Sequence, residues 1–308
     1  PPLSVFVLAG LGLISSPTDV ATAVQPAELI FLRTAIISFE LLLVAALYAL
    51  GRRTARHRAG LAAAILYAFS PGAIYLSGWW GQVDSWFILP MVTAVIWLAR
   101  RRVVWAWAAL GVAIGFKVQA VVILPMFVIG TWRWYGFKRL FSGIAAVAVT
   151  LLLPLWPILR AGQLAALTEK TTESIRFWPW ITSQAHNFWY AFVADARIRG
   201  FDINSDWNAT IAGISYRDAG LILLALAFAL VLTRLALRSG PRSIYAASAL
   251  GWLLFFMLPT RIHGRYLFPA LALLLCAGFY QRRWWWLYAV TAVTLFFNLF
   301  YNTISYTA

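Results

Sequence analysis

The chain has 308 residues, of which 62% are apolar and only 11% are charged, and its net charge is +15. A soluble domain is about half apolar and a quarter charged, and a core of this size cannot hide so much apolar surface. The composition therefore excludes a soluble enzyme, a disordered chain and a repeat solenoid, and indicates a membrane protein whose surplus apolar surface faces lipid. The single cysteine, Cys276, lies in an apolar run and there are only three histidines, so neither a disulfide framework nor a metal site is expected.

Ten apolar segments predict an all-α polytopic membrane protein with about ten transmembrane helices. Several are shorter than the ~20 residues that a perpendicular span needs, which is typical of bundles with broken or re-entrant helices. The segments are 29–50, 59–77, 86–99, 103–115, 119–132, 140–158, 218–237, 243–259, 266–281 and 284–302.

The ten segments predict a single transmembrane domain over 1–308. Within it, 1–28 is expected to be an outer interfacial segment, with a helix over 3–15 lying on the membrane surface. The 59 residues of 159–217 are expected to form a long outer loop, and loops of such length are usually functional. The chain begins at Pro1 without methionine or a basic n-region, so we expect it to start partway through a larger protein and to lack a signal peptide.

The 25 Lys and Arg residues are distributed unevenly along the chain, because 15 of them lie in five loops that hold no acid. The remaining 10 Lys and Arg and all 10 acidic residues fall on the opposite side of the predicted membrane, which is therefore neutral. This is the positive-inside pattern, so the basic loops are expected in the cytoplasm, near anionic lipid headgroups rather than nucleic acid. The 15 residues of the basic loops are Arg52, Arg53, Arg56, Arg58, Arg100, Arg101, Arg102, Arg133, Lys138, Arg139, Arg234, Arg238, Arg242, Arg282 and Arg283.

This sidedness resolves one ambiguous stretch. The loops at Arg101 and Arg139 are both expected inside, so 103–132 must cross outward and return. The break falls at Gly115-Phe116-Lys117, and Lys117 is expected to point outward. The outer face then also collects 1–28, the loop 78–84, the loop 261–265 and the segment 159–217.

Two carboxylates are candidates for chemistry. Asp84 lies between two spans, where it could orient a sugar hydroxyl or act as a base; alternatively it is a solvated loop acid that caps the next helix. Glu40 lies about eleven residues into the first span, with Arg33 two turns earlier on the same face. An acid inside a membrane is a functional hypothesis by default, and the alternative is a structural acid that faces the bundle.

Four cationic or titratable side chains lie at outer helix ends, namely Lys117, Arg261, His263 and Arg265. Cations that converge on one pocket are what a phosphate needs, and a histidine can bond a phosphate oxygen in either protonation state. The alternative is that they extend toward lipid headgroups.

Aromatic residues with interspersed polar ones mark the outer loop, at 176–180 and 185–189, including Trp178, Asn187 and Trp189. Such rings pack against sugars, and they also form the aromatic belt of a membrane interface. Nucleotide-binding, zinc-protease and nucleophile-elbow motifs are not found in the sequence, so soluble nucleotide chemistry is unsupported.

The order of these elements resembles the GT-C superfamily of polytopic glycosyltransferases, and the resemblance covers essentially the whole chain. It is similar to bacterial integral-membrane mannosyl- and glucosyltransferases and to the dolichyl-phosphate-glucose glucosyltransferases of N-glycan assembly. The residues that carry it are Pro1-Pro2-Leu3, Arg33 with Glu40, Gly81-Gln82-Val83-Asp84-Ser85, Phe116-Lys117-Val118-Gln119 followed by Pro125, Asn187-Phe188-Trp189 and Ile262-His263-Gly264-Arg265.

The resemblance implies transfer of mannose or glucose from a polyprenyl-phosphate donor to an acceptor on the extracytoplasmic face, in a bacterial plasma membrane. The acceptor would be lipid-linked, a lipid or a protein, and the anomeric carbon would be inverted without metal or cofactor. The donor phosphate would lie among Lys117, His263, Arg265 and Arg261. The sugar or acceptor would contact Glu40, Gln82, Trp178, Asn187 and Trp189.

The chain departs from the family's pattern at two points. The family's catalytic base is an Asp that would lie upstream of Pro1, so we expect the fragment to be inactive by itself, with Asp84 the first candidate if it is not. Where the family has an acidic residue after its histidine, this chain has Gly264, so the contact that the acidic residue makes cannot be carried over. Three other functions stay open: an oligosaccharide ligase that uses a diphosphate lipid, a transporter or lipid flippase, and a non-catalytic scaffold.

Overall fold

The structure, a computed structural model, describes residues 3–4, 6–7, 26–176, 179–183, 185–200, 202, 205–238 and 240–307. This part of the chain is almost entirely helical, and its regular strands are the short antiparallel pair β1 (Thr210–Ile211) and β2 (Ile214–Ser215). The helices are α1 (Pro26–Thr54), α2 (His57–Ala68), α3 (Pro71–Trp79), α4 (Ser85–Ala99), α5 (Val103–Phe116), α6 (Leu124–Tyr135), α7 (Phe137–Arg160), α8 (Leu164–Arg176), α9 (Tyr190–Ile198), α10 (Tyr216–Leu237), α11 (Ser243–Met257), α12 (Gly264–Gly278) and α13 (Arg283–Thr307).

Each of the ten predicted apolar segments coincides with a helix, or at 59–77 with the pair α2 and α3. Five helices of the described chain are long and apolar enough to cross a membrane: α1, α6 with its preceding 3₁₀ turn Val118–Ile123, α7, α10 and α13. The pair α2 and α3, bent by 44°, would make a sixth. The helical, membrane-protein character is therefore confirmed, whereas a count of ten spans is not, because α4, α5, α11 and α12 are shorter apolar helices.

The short helices form the centre of the bundle and the long ones its surface. All eleven residues of Phe268–Gly278, the regular part of α12, are buried, as are ten of the fifteen in α4. In the most apolar stretches of α7 and α10, by contrast, only 6% and 11% of the residues are buried inside the protein. A helix that is apolar all round belongs in a core, whereas the exposed apolar faces of α7 and α10 are suited to lipid.

Helices α4 and α5 define the two ends of the bundle. Helix α4 begins after Asp84 and ends before Arg100, and α5 begins after Arg102 and ends before Lys117. At 1.5 Å per residue, the 14 residues of α5 separate Arg102 from Lys117 by about 21 Å. We call the end that holds Arg100, Arg101 and Arg102 the arginine end, and the other the Lys117 end.

The segment between α8 and α10 packs on the Lys117 end. Ser183 N donates to Ile262 O over 3.0 Å, and Arg261 N donates to Trp180 O over 3.2 Å. Ile181, Trp189, Ala209 and Tyr216 form a small apolar core of their own. The segment between α8 and α10 is therefore a folded layer over the loop that precedes α12, and we call it the outer layer because it covers the Lys117 end.

Little of the predicted interfacial segment 1–28 lies within the described residues. Residues 3–4 and 6–7 are helical, and Ser4 Oγ donates to Phe116 O over 2.6 Å. The described beginning of the chain therefore contacts α5 beside Lys117.

Single-cysteine labelling tests the orientation, because Cys276 is fully buried and gives no background. Asn208 and Lys138 are both exposed, the first in the outer layer and the second at the start of α7. A membrane-impermeant maleimide should label Asn208→Cys in intact cells and Lys138→Cys only after permeabilisation, since the basic loops are retained inside. The reverse pattern would refute the orientation.

Candidate functional site

Two of the predicted site residues, Gln82 and Asp84, lie in the turn between α3 and α4. The second part of α3, Ile74–Trp79, is π-helical, a conformation that is frequent at functional sites. Gly81 then takes φ of 73°, which glycine adopts without strain, and Gln82 N donates back to Leu76 O over 2.8 Å. This tight turn directs Gln82 and Asp84 toward the end of α5.

Asp84 and Lys117 form an ion pair across the Lys117 end, Lys117 Nζ donating to Asp84 Oδ1. The Asp84 side chain is 3% exposed and that of Lys117 is 17% exposed. Asp84 is at the N-cap position of α4 but makes no side-chain capping bond, so it is neither a solvated loop acid nor a helix cap. Lys117 Nζ also lies 5.2 Å from the Phe87 ring centre, turned into the protein rather than toward lipid headgroups.

The ring of Tyr266 joins Lys117 to the loop before α12. Its centre lies 5.3 Å from Lys117 Nζ, 6.0 Å from the Arg265 guanidinium carbon and 6.0 Å from the His263 ring centre. Because the distances from Lys117 Nζ and from the His263 ring centre are both measured to the Tyr266 ring centre, these two groups are at most about 11 Å apart. Arg265 Nη1 donates to Gln82 Oε1. The structure thus brings together five predicted residues: Gln82, Asp84, Lys117, His263 and Arg265.

His263 is held neutral in this group. Burial lowers its pKa to about 4, helped by the neighbouring Arg265 and Lys117 cations and opposed by Asp84. Its Nδ1 accepts from Arg265 N over 3.3 Å, so in the neutral ring the proton lies on Nε2. His263 therefore offers a neutral N–H donor beside two cations.

The group carries spare positive charge and a spare donor. Lys117 and Arg265 are balanced by the single carboxylate of Asp84, and His263 is neutral, which leaves a net charge of +1. Arg265 Nε is buried without a hydrogen-bond partner among the described residues. A buried donor left unpaired costs about 1–3 kcal/mol, so an oxygen acceptor placed there would be favoured.

Glu40 lies deeper, within α1. Ser77 Oγ, from the π-helical turn, donates to Glu40 Oε1 over 2.5 Å. Glu40 Oε2 and the Tyr67 hydroxyl are both buried, and the two side chains interact with each other. One turn earlier, Ile36 O accepts from Ser85 Oγ over 3.3 Å, so Glu40 lies about one helical turn below the start of α4.

The structure places Arg261 apart from this group. Its Nε and Nη2 donate to Asp206 Oδ2 and Oδ1 over 2.9 and 2.8 Å, and Thr260 Oγ1 donates to Asp206 Oδ2 over 2.6 Å. The Asp206 side chain is fully buried. Arg261 therefore clamps the outer layer to the loop before α12 and is not presented to a phosphate at Lys117.

Asn187 and Trp189 are likewise engaged in packing. Asn187 Nδ2 donates to Phe256 O and Pro259 O over 3.3 and 3.1 Å. Trp189 is 1% exposed, and its indole N–H donates to Leu258 O over 2.5 Å. In this arrangement neither side chain is available for the predicted contact with a sugar or an acceptor. Trp178 lies outside the described residues.

Sequence reasoning missed the aromatic rings that surround the group. Trp80 lies 5.8 Å from the His263 ring centre and 5.6 Å from the Arg265 guanidinium carbon. Trp79 and Trp80 stay 62% and 39% exposed. Tyr266 follows Arg265 directly, and Trp79 and Trp80 precede Gln82, so their position next to the motifs was the sequence signal that could have identified them. No sequence signal pointed to Asp206 as the partner of Arg261.

Comparison with known protein families and with curated proteins gives no match to this sequence. In the described part of the chain, no group of three His, Cys, Asp or Glu side chains could hold a metal ion. The site is therefore interpreted from its geometry alone.

Removal of Asp206 should release the outer layer. Asp206→Asn removes the buried carboxylate that accepts from Arg261 and Thr260, and should lower the free energy of unfolding by roughly 3 kcal/mol, measured by denaturation in detergent. Glu173→Gln, which breaks the exposed Lys170–Glu173 pair, is the control and should change it by less than about 1 kcal/mol. Equal effects would contradict the clamp.

The pH dependence of stability should contain a contribution from His263. Its unfolded pKa is about 6.5 and its folded pKa about 4, so the unfolded chain binds the proton first as the pH falls. The stability contributed by neutral His263 is complete above about pH 6.5 and is lost toward pH 4. His263→Asn should unfold with a shallower dependence over that range, and an unchanged slope would refute the shift.

Proposed function

We propose that the protein is a hexosyltransferase of the GT-C type, which uses a polyprenyl-phosphate-linked mannose or glucose at the Lys117 end. The observation that carries the proposal is the convergence of Lys117, His263 and Arg265 from two distant parts of the chain, with net positive charge and an unpaired Arg265 Nε. Arginine and lysine at a partly buried site are suited to a phosphate.

The lipid phosphate is the leaving group of the proposed reaction. An acceptor hydroxyl attacks the anomeric carbon, the bond from that carbon to the phosphate oxygen breaks, and the phosphate leaves with the electron pair. Lys117, Arg265 and the His263 N–H stabilise the charge that develops on it. The proton of the acceptor goes to a carboxylate base.

Asp84 and Gln82 are assigned a positioning role. Each is already bound to one of the cations, Asp84 to Lys117 and Gln82 to Arg265. They fix those cations, and the second carboxylate oxygen of Asp84 can accept from a sugar hydroxyl while the amide N–H groups of Gln82 can donate to one. The exposed faces of Trp79 and Trp80 lie beside them, where a sugar ring could stack.

The membrane arrangement belongs to the same proposal. We infer that all ten apolar segments enter the membrane, with the arginine end in the cytoplasm and the Lys117 end outside. The charge distribution supports this orientation. The protein would then be a multi-pass enzyme of the plasma membrane whose partners are the lipid donor, an acceptor and membrane lipids.

One observation favours a transporter or flippase as the second candidate. Glu40 is an acid inside a span, buried beside the hydroxyl groups of Ser77 and Tyr67, and such acids are frequent in proton-coupled carriers. Substrate uptake into sealed vesicles, lost in Glu40→Gln, would favour that function. If the protein is instead a transferase, Glu40→Gln should change the rate of hexose transfer, and neither the variant nor the unchanged protein should take substrate up into vesicles.

Lys117 provides the test of the phosphate site. The double variant Asp84→Asn/Lys117→Met replaces the buried ion pair by neutral groups, so it leaves no buried charge unpaired. It should weaken binding of polyprenyl phosphate at least roughly tenfold and, in the full-length protein, reduce hexose transfer on the order of 10²-fold.

Lys170→Met is the matched control, because Lys170 is an exposed lysine of α8. It should retain binding and transfer. Unchanged phosphate binding in the double variant would overturn the site. Competition between monophosphate and diphosphate lipids distinguishes the proposed donor from that of an oligosaccharide ligase.

A further inference from the structure

A second region of the molecule, at the arginine end, has the properties of a ligand site. A cavity of about 560 Å³ opens between the last turns of α10 and α12 and the first turns of α11 and α13. Its wall is mostly apolar and includes Leu230, Leu235, Ala246, Leu250 and Trp284. This volume is within the range of small-molecule sites, ≈300–1,000 Å³.

Four arginines also line this cavity: Arg234, Arg238, Arg242 and Arg283. All four residues are exposed. No ion pair of the described residues involves them, and no acid is among the lining residues. Arg242 lies 5.5 Å from the Tyr280 ring centre, which stacks on Tyr245 at 5.0 Å. The cavity is thus an apolar pocket with an uncompensated cationic rim.

We propose that this cavity binds an anionic phospholipid of the leaflet at the arginine end. The apolar wall takes an acyl chain, and the guanidinium groups of Arg238 and Arg242 bind the headgroup phosphate. Basic pockets between helices at a membrane surface are suited to such headgroups, and guanidinium binds phosphate in a bidentate manner. A soluble anion would use the rim but would leave the apolar wall unfilled, so the lipid is the occupant that satisfies both parts.

A neighbouring cavity repeats this chemistry. It has a volume of about 740 Å³ and is lined by Arg56, Arg58, Arg282, Trp285 and Trp286. Residues of the turn between α12 and α13 line both cavities. Tryptophan and arginine together are typical of a membrane interface, which places the rim at headgroup depth.

The lipid site is separate from the Lys117 end and does not rest on the proposed function. Helix α12 runs from Arg265, in its first turn, to Ala277, which lines the cavity. These two residues are 12 positions apart, which at 1.5 Å per residue is about 18 Å. An anion bound at one site therefore does not contact the other.

The test uses the full chain purified in neutral detergent and titrated with phosphatidylglycerol, phosphatidylcholine or inorganic phosphate. Bound lipid is counted by native mass spectrometry, and the melting temperature reports ligand that binds the folded state. Phosphatidylglycerol should be retained and raise the melting temperature, whereas phosphatidylcholine and inorganic phosphate should not. Stabilisation by inorganic phosphate alone, or equal retention of both lipids, would overturn the proposal.

Paired variants locate the site. Arg238→Gln/Arg242→Gln should weaken phosphatidylglycerol binding by roughly tenfold or more. Lys138→Gln/Arg139→Gln removes the same charge from exposed residues outside the cavity and should retain binding. Equal losses in both pairs would show general attraction to the surface and refute the site.

A further variant does not depend on charge. Ala246→Phe fills part of the cavity and keeps every arginine, so it should also weaken phosphatidylglycerol binding. It keeps the proposal testable if the arginine variant does not fold. Unchanged lipid binding in Ala246→Phe would exclude the cavity as the place of the acyl chain.

Discussion

The buried ion pair between Lys117 and Asp84 is the interaction on which the Lys117 end depends. It joins the end of α5 to the start of α4, two short helices that pack in the centre of the bundle. A charge in this environment is costly unless it is paired, so each side chain fixes the other's position. The pair also sets the charge of the site, because Asp84 offsets only one of the two nearby cations.

The outer layer positions the second half of the site by a separate device. Asp206 holds Arg261 through two hydrogen bonds and Thr260 through a third. Two and four residues after Arg261, His263 and Arg265 are presented to Lys117 across the ring of Tyr266. Arg261 and Arg265 thus have different roles although they are four residues apart, because Arg261 is ion-paired with the buried carboxylate of Asp206 whereas Arg265 donates to the neutral amide of Gln82.

The two ends of the molecule differ in how they hold positive charge. At the Lys117 end the cations are partly buried, paired with Asp84 and Gln82 and surrounded by aromatic rings. At the arginine end they are exposed and gather around apolar cavities. The first arrangement is suited to recognition of a particular phosphate in a fixed geometry, and the second to the headgroup layer of a membrane.

The sequence by itself determined the class of protein and the positions of the helices. The apolar excess, the ten segments and the break at Gly115-Phe116-Lys117 depend on local composition, and each is found in the structure. The motifs also indicated Gln82, Asp84, Lys117, His263 and Arg265, which the fold does bring together. Only the tertiary structure decided that Arg261 pairs with Asp206, that Trp189 is buried, and that Phe268–Gly278 of α12 lies wholly inside the bundle. Those outcomes depend on contacts between residues far apart in the chain, and hydropathy does not distinguish an apolar helix that faces lipid from one enclosed by protein.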